Sequence, residues 1–228
     1  MIGAGSQQMI ALNNCFTEFI LPEWFNAPQA LKETLHKVWN RQYLDLYDEG
    51  GNSDLYDDAF KEVIEALGMP DDLIGHKRYV YMAFGIALSA RFTVKGWFPE
   101  DERPDIALEK VRCWLETGVE IPNNFAETLF PDYYRKGAHT PPGEAYAVLY
   151  RFLKTLNKAD AYQSLLWLLD DAFTSEALTL KYNERRKFFN WWIVDVTPSA
   201  YCLRLPSHLC TAGGIISLDN SPDYRLDL

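Results

Sequence analysis

Apolar residues recur at steps of three and four along most of this chain, a spacing that commits it to helices packed against one another. In Glu144–Leu156, the residues Ala145, Val148, Leu149, Phe152, Leu153 and Leu156 form one stripe along a helix face. Thr140 is placed to N-cap that helix, and Pro141 falls in its first turn, where a missing N–H costs nothing. Asp54–Leu67 repeats the pattern with Tyr56, Ala59, Phe60, Val63, Ile64 and Leu67. Asp54 is its cap, and Gly68 and Pro70 are its stop signals. A third helix is expected over Asp105–Thr117, carrying Ala107, Leu108, Val111, Trp114 and Leu115 and closed by Gly118. A fourth spans Ala30–Tyr47, with Leu35, Val38, Trp39, Tyr43 and Leu46 inward. Ala161–Leu180 and Tyr182–Ile193 continue the series through Leu165, Leu166, Leu169 and Phe173, then Phe188, Phe189 and Trp192.

One segment departs from amphipathicity. Tyr79–Leu88 (YVYMAFGIAL) is apolar all round, so as a helix it must sit at the centre with other helices on every side. Gly85 and Ala87 would admit a close neighbour there. After Pro198 the helical period disappears, and Gly213-Gly214, then ISL, then Asn220-Ser221-Pro222 read as loop with one short strand. No run of alternating residues joined by hairpin turns predicts a sheet. The expected architecture is therefore all-α: an irregular multi-helix bundle with a loop-rich C-terminal tail, forming a single helical domain over 1–228. A soft boundary is marked within 116–142 by Gly118, Pro122, Pro131, Gly137, Pro141 and Pro142. The competing reading of that stretch is a surface connection with a short helix near Asn124–Phe130.

Composition narrows the function classes. With 48% hydrophobic and 24% charged residues, the chain has the balance of a globular protein. Aromatics at 14% mean that large rings must carry much of the packing. Twenty-two Lys and Arg against 32 Asp and Glu leave a net charge of −10, a field that repels nucleic-acid phosphate and anionic lipid. The opening MIGAGSQQMIALNNC puts no positive charge ahead of an apolar run, so no secretory leader is expected. The longest apolar run is far short of the roughly 20 residues a membrane helix needs. A soluble, cytoplasmic protein is the expectation. Cys15, Cys113, Cys202 and Cys210 are scattered and read as small buried hydrophobes in a reducing compartment.

Several constellations invite a chemical reading and fall short of one. Glu33 and His36 make one Glu-x-x-His pair, but a di-iron bundle needs two such pairs and two further glutamates. Cys202, His208 and Cys210 are three soft ligands close together, yet no Cys-x-x-Cys accompanies them, and structural roles are the better reading. The acidic run Asp45, Asp48, Glu49, Asn52, Asp54 fails as a calcium loop: counted from Asp48, position 3 is Gly50 and position 12 is Ala59. No nucleophile elbow, phosphate loop, dinucleotide fingerprint or His-Glu-x-x-His occurs. The basic, aromatic run Lys181–Trp192 resembles a single-strand-binding surface. At helical spacing its rings form a core stripe instead, and the net charge makes nucleic acid an unlikely partner. Thus no catalytic, cofactor or metal set emerges. The helix Asp54–Leu67 does carry a strongly acidic outer face, with Asp54, Asp57, Asp58, Glu62 and Glu65 followed by Asp71 and Asp72. These residues are the candidate surface for a basic partner.

The segment Phe98–Gly118 has an acidic turn, Pro99, Asp101, Arg103, Pro104, leading into a helix with Ala107, Leu108, Glu109 and Trp114. Over this segment alone, the chain resembles the helical immunity proteins of bacterial polymorphic-toxin systems. The resemblance implies a non-enzymatic inhibitor that binds another protein. The alanine-rich helices expected downstream in that family are replaced here by Pro- and aromatic-rich sequence. The reading adopted is a protein-binding module, with a helical metal-dependent enzyme, assembled only in three dimensions, as the alternative.

Overall fold

The computed structural model describes residues 16–45, 54–132, 140–174, 182–211 and 213–218. The chain is mostly helical. In order it forms α1 (Gln29–Asp45), α2 (Asp54–Ala66), α3 (Leu73–Trp97), α4 (Arg103–Thr117), α5 (Phe125–Leu129), α6 (Pro141–Lys154), α7 (Lys158–Thr174) and α8 (Tyr182–Trp191). A π-helical turn (Trp192–Val196) leads into α9 (Thr197–Tyr201), and a hairpin follows, β1 (His208–Thr211) with β2 (Gly214–Ser217). Among the described residues, no helix is long and apolar enough to cross a membrane.

The apolar segment is the middle of α3, as its composition requires. Every residue from Tyr79 to Ala90 is buried, and α3 packs on α4, α6, α7, α9 and β1. Arg78 ties its N-terminal part to two helix ends, donating from Nη1 to the Leu67 carbonyl (2.8 Å) and from Nε to that of Tyr201 (3.0 Å). Orphan C-terminal carbonyls of α2 and α9 are thereby satisfied by one cation, which also lies over the Tyr201 ring. The caps expected at Thr140 and Gly118 are present. The Thr140 hydroxyl accepts from the Gly143 N–H at 3.3 Å, and Gly118 ends α4 in the left-handed region at φ 70°. Glycine is obligatory at position 75, where a Cβ would fall 2.1 Å from the Met69 carbonyl oxygen. Helices from either side of the 116–142 stretch pack directly together, α3 and α4 against α6, and α5 stands where the short helix was expected.

Aromatic rings fill the centre. Phe60 meets Trp192 (5.3 Å between centroids) and Phe173 (5.8 Å) edge-on, and Phe173 meets Phe188 and Phe189. The indoles of Trp191 and Trp192 both have partners: Trp191 donates to the His208 carbonyl at 2.8 Å, Trp192 to the Met82 sulfur at 3.4 Å. The rings of Phe188, Phe189, Trp191 and Trp192 are therefore core, not a stacking platform.

Two expectations for the C-terminal region are corrected. Helix runs on past Ile193, where the last helix was expected to end, and past Pro198 to Tyr201, with Pro198 in the first turn of α9. A proline inside a helix lacks an N–H and crowds the carbonyl four residues back. The π turn immediately before it widens the spiral, with the Thr197 N–H reaching Trp192, so the ring is accommodated. The tail beyond holds two short strands where one was expected: β1 and β2 pair antiparallel, His208 opposite Ser217 through Thr211 opposite Gly214. Alternation fails to announce β1 because Leu209, Cys210 and Thr211 are all buried, on both faces of the strand.

Two glycines of α3 test this packing in opposite directions. Gly75→Ala should destabilise the protein by ~1–3 kcal/mol, because backbone must move. Gly96→Ala meets nothing within 4 Å and should be neutral or stabilising by up to ~1 kcal/mol through helix propensity. Urea denaturation of the two variants checks both signs.

Candidate functional site

The turn between α2 and α3 carries an unusual surface. Asp72 caps α3, its carboxylate accepting from the Gly75 N–H at 3.1 Å. Gly68, at φ 103°, reverses the chain before it. Around this tight turn the large apolar side chains of Met69, Leu73 and Ile74 are 55%, 57% and 50% exposed, with Asp71 and Asp72 beside them. Single exposed apolar residues need no explanation, whereas three within six residues, bordered by acids, have the make-up of a contact surface.

Leu73 also forms part of the wall of a cleft of about 400 Å³. The cleft is lined by His76 of α3, Trp114 of α4, the 120–123 loop, the start of α5, and the α6–α7 turn from Leu153 to Lys158. His76 is 2% exposed. Its Nε2 lies 2.8 Å from the Thr155 carbonyl, which only accepts, so Nε2 carries the proton. Nδ1 has no partner in the protein. Burial lowers the His76 pKa from its usual value, and Lys158 adds to this against the opposing effect of the Thr155 hydrogen bond. Burial thus favours the neutral ring, in which Nδ1 is a buried acceptor. Trp114 approaches it edge-on at 5.3 Å. Lys154, in the same cleft, is bound by Glu127 at 3.0 Å.

The acidic residues singled out from sequence divide into two sets. Glu62 pairs with Lys37 of α1 (3.1 Å), Glu65 accepts from the Tyr162 hydroxyl of α7 (2.9 Å), and Asp72 serves as a cap. Asp58 and Asp71 are exposed. Asp54 and Asp57 lie in the first turn of α2, and their side chains are outside the described residues. So are Asp48, Glu49 and Asn52 of the failed calcium loop, and Cys15.

The other constellations are structural where they are described. Glu33 accepts from Gln29, while His36 sits against Asn40 and Phe19, so the Glu-x-x-His pair is not joined. Asp195, buried in the π turn, accepts from the Ser207 N–H (2.9 Å), the His208 N–H (2.9 Å) and His208 Nδ1 (3.1 Å). This knot holds the hairpin to the helix and takes His208 away from Cys202 and Cys210. Cys210 is buried, but Cys113 and Cys202 are only half-buried, less than their sequence reading expected. Among the described residues, no three His, Cys, Asp or Glu side chains are grouped to hold a metal ion. Asp171 is raised to about 6 by burial despite Arg151 at 2.5 Å, with Glu144 and Asp170 adding to the rise, and it lines no part of the His76 cleft.

The acidic turn before α4 is stapled to α6. Asp101 accepts from the Arg103 N–H at 3.0 Å, from the Arg103 guanidinium and from the Tyr146 hydroxyl, and the guanidinium lies over the Tyr146 ring. No family model, curated protein or solved structure matches the chain.

Sequence reasoning marked Asp71 and Asp72 but missed Met69, Leu73, Ile74 and His76. The signal for the first three was present: apolar residues bracketed by Gly68 and Gly75, outside any amphipathic stripe. His76 had none, since its burial depends on α4 and α6 closing over it.

Hydrogen bonds from Arg103 and Tyr146 hold the Asp101 carboxyl well below the usual carboxylate range. Its folded pKa lies below the unfolded value near 3.8, so its stabilisation is complete above that value and lost as pH falls toward the folded one. Asp101→Asn should cost ~1–3 kcal/mol at neutral pH and progressively less in acid. Denaturant titrations of both proteins across this range measure the difference.

Proposed function

We propose that this protein is a non-enzymatic binding module that docks a basic protein partner through the α2–α3 turn. The observation carrying this reading is the exposed trio Met69, Leu73 and Ile74, bordered by Asp71 and Asp72. Apolar side chains at the centre of a contact supply affinity by leaving water, while the acids at its edge choose a positively charged partner and speed its approach. The net charge of −10 acts in the same direction over longer range. An immunity-type inhibitor of a basic effector agrees with this profile and with the local resemblance at Phe98–Gly118.

The alternative of a metal-dependent enzyme draws less support, because the strongest titratable clusters are spent within the protein. Asp195 and His208 bind each other, and Asp101 is enclosed by Arg103 and Tyr146.

The immobilised protein should retain a discrete basic protein from lysate of its own host, and Leu73→Asp with Ile74→Asp should abolish retention. Both positions are exposed, so the double variant should keep the parent's helical circular dichroism. Raising salt should slow association several-fold. Equal retention by parent and double variant would refute the assignment of this surface.

A further inference from the structure

We infer that the recess beside His208 binds one phenolic ring, whose hydroxyl donates to the imidazole Nε2. The recess shares no lining residue with the α2–α3 turn, and the inference does not rest on the docking reading.

The imidazole is fixed before any ligand arrives. Asp195, buried in the π turn, accepts from its Nδ1 at 3.1 Å and from its backbone N–H at 2.9 Å, while the Trp191 indole donates to its carbonyl. A carboxylate oxygen accepts, so in the neutral ring Nδ1 carries the proton and Nε2 the lone pair. The His208 side chain is 25% exposed, and its Nε2 is neither buried nor hydrogen-bonded among the described residues. The second nitrogen is thus an accessible acceptor, held in one orientation and made more basic by the carboxylate behind the ring.

The His208 ring is itself one wall of a recess of about 230 Å³. Phe16, Leu21, Pro22 and Trp24 line it from the segment preceding α1, and its polar members are Asp195, Ser207 and His208. Phe16 already meets the imidazole edge-on at 5.3 Å, and a further ring extends that aromatic packing. The volume is below that of a pocket for a drug-sized molecule and admits a single substituted ring.

The donor this site favours is uncharged. Among the described residues of the lining, Asp195 carries the formal charge, but both its oxygens are taken by N–H groups of Ser207 and His208. Glu18, Glu23 and Arg204 lie outside the lining, the Arg204 guanidinium over the Trp24 ring at 4.1 Å. An ammonium would give up hydration among apolar walls for one bond to Nε2. A carboxylate would set an acceptor against the Nε2 lone pair and a second negative charge near Asp195. A phenol brings one donor for one acceptor, on an uncharged ring.

The test uses the whole chain, ¹⁵N-labelled at histidine, at about pH 8. The probes are phenol, anisole, benzylamine and N-acetyl-tyrosinamide. Anisole keeps the ring and its oxygen but lacks the O–H. Phenol should bind with a Kd on the order of 1 mM and move the His208 Nε2 resonance. Anisole and benzylamine should bind about tenfold more weakly or worse and leave that resonance in place. His208→Asn keeps a donor for Asp195 and removes the Nε2 acceptor, so it should weaken phenol about tenfold and leave anisole unchanged. If that variant does not fold, the labelled parent with phenol and anisole still tests the hydroxyl. Binding of N-acetyl-tyrosinamide alongside phenol supports a tyrosine side chain as the source of the ring, and binding of phenol without it supports a free phenol. Equal binding of phenol and anisole would overturn the role of the hydroxyl. Tighter binding of benzylamine would overturn the uncharged donor, and no binding of phenol up to about 10 mM would overturn the site.

Discussion

The burial of α3 on all its faces is the constraint from which the rest of this architecture follows. A helix whose middle is apolar all round has no face to give to water, so several others must enclose it. α4, α6, α7, α9 and β1 do so. The amphipathic stripes of α4, α6 and α7 are the complementary halves of that arrangement, each with one face to give. The hydrophobic gain from such enclosure offsets the conformational entropy of ordering the chain, which is of similar size. Where α3 emerges from its sheath, between Leu73 and Arg78, apolar and polar groups meet. The exposed trio, the His76 cleft and the Arg78 clamp all fall there.

Part of the charge in this protein is used to join its own helices. On α2, Glu62 and Glu65 are used to hold α1 and α7, although exposed pairs of this kind add at most about 1 kcal/mol each. The turn before α4 likewise spends Asp101 on Arg103 and Tyr146. Asp58 and Asp71, also exposed, lie on α2 and at the α2–α3 turn. An acidic face read along one helix is thus partly a set of joints between helices.

The helices were legible because their stripes repeat at the helical period and their ends carry Thr140, Pro141, Gly118 and Gly68, residues whose backbone chemistry acts locally. The hairpin was not, since a strand buried on both faces loses its alternation. The continuation of helix beyond Ile193 was not legible either, because it runs through a π turn that no local pattern announces. At the site, Asp71 and Asp72 were visible as charge, whereas the exposure of Leu73 and Ile74 depends on neighbours far away in the chain.

By itself, the amino-acid sequence determined an all-helical class, a central α3, an aromatic core and a negative net charge, because periodicity, capping and composition act through neighbouring residues. Only the tertiary structure decided which carboxylates are spent on joints, which apolar side chains remain outside, and that one imidazole nitrogen is buried without a donor. Those outcomes depend on how distant helices pack: His76 is closed in by Trp114 and Thr155, neither of which is near it in the chain.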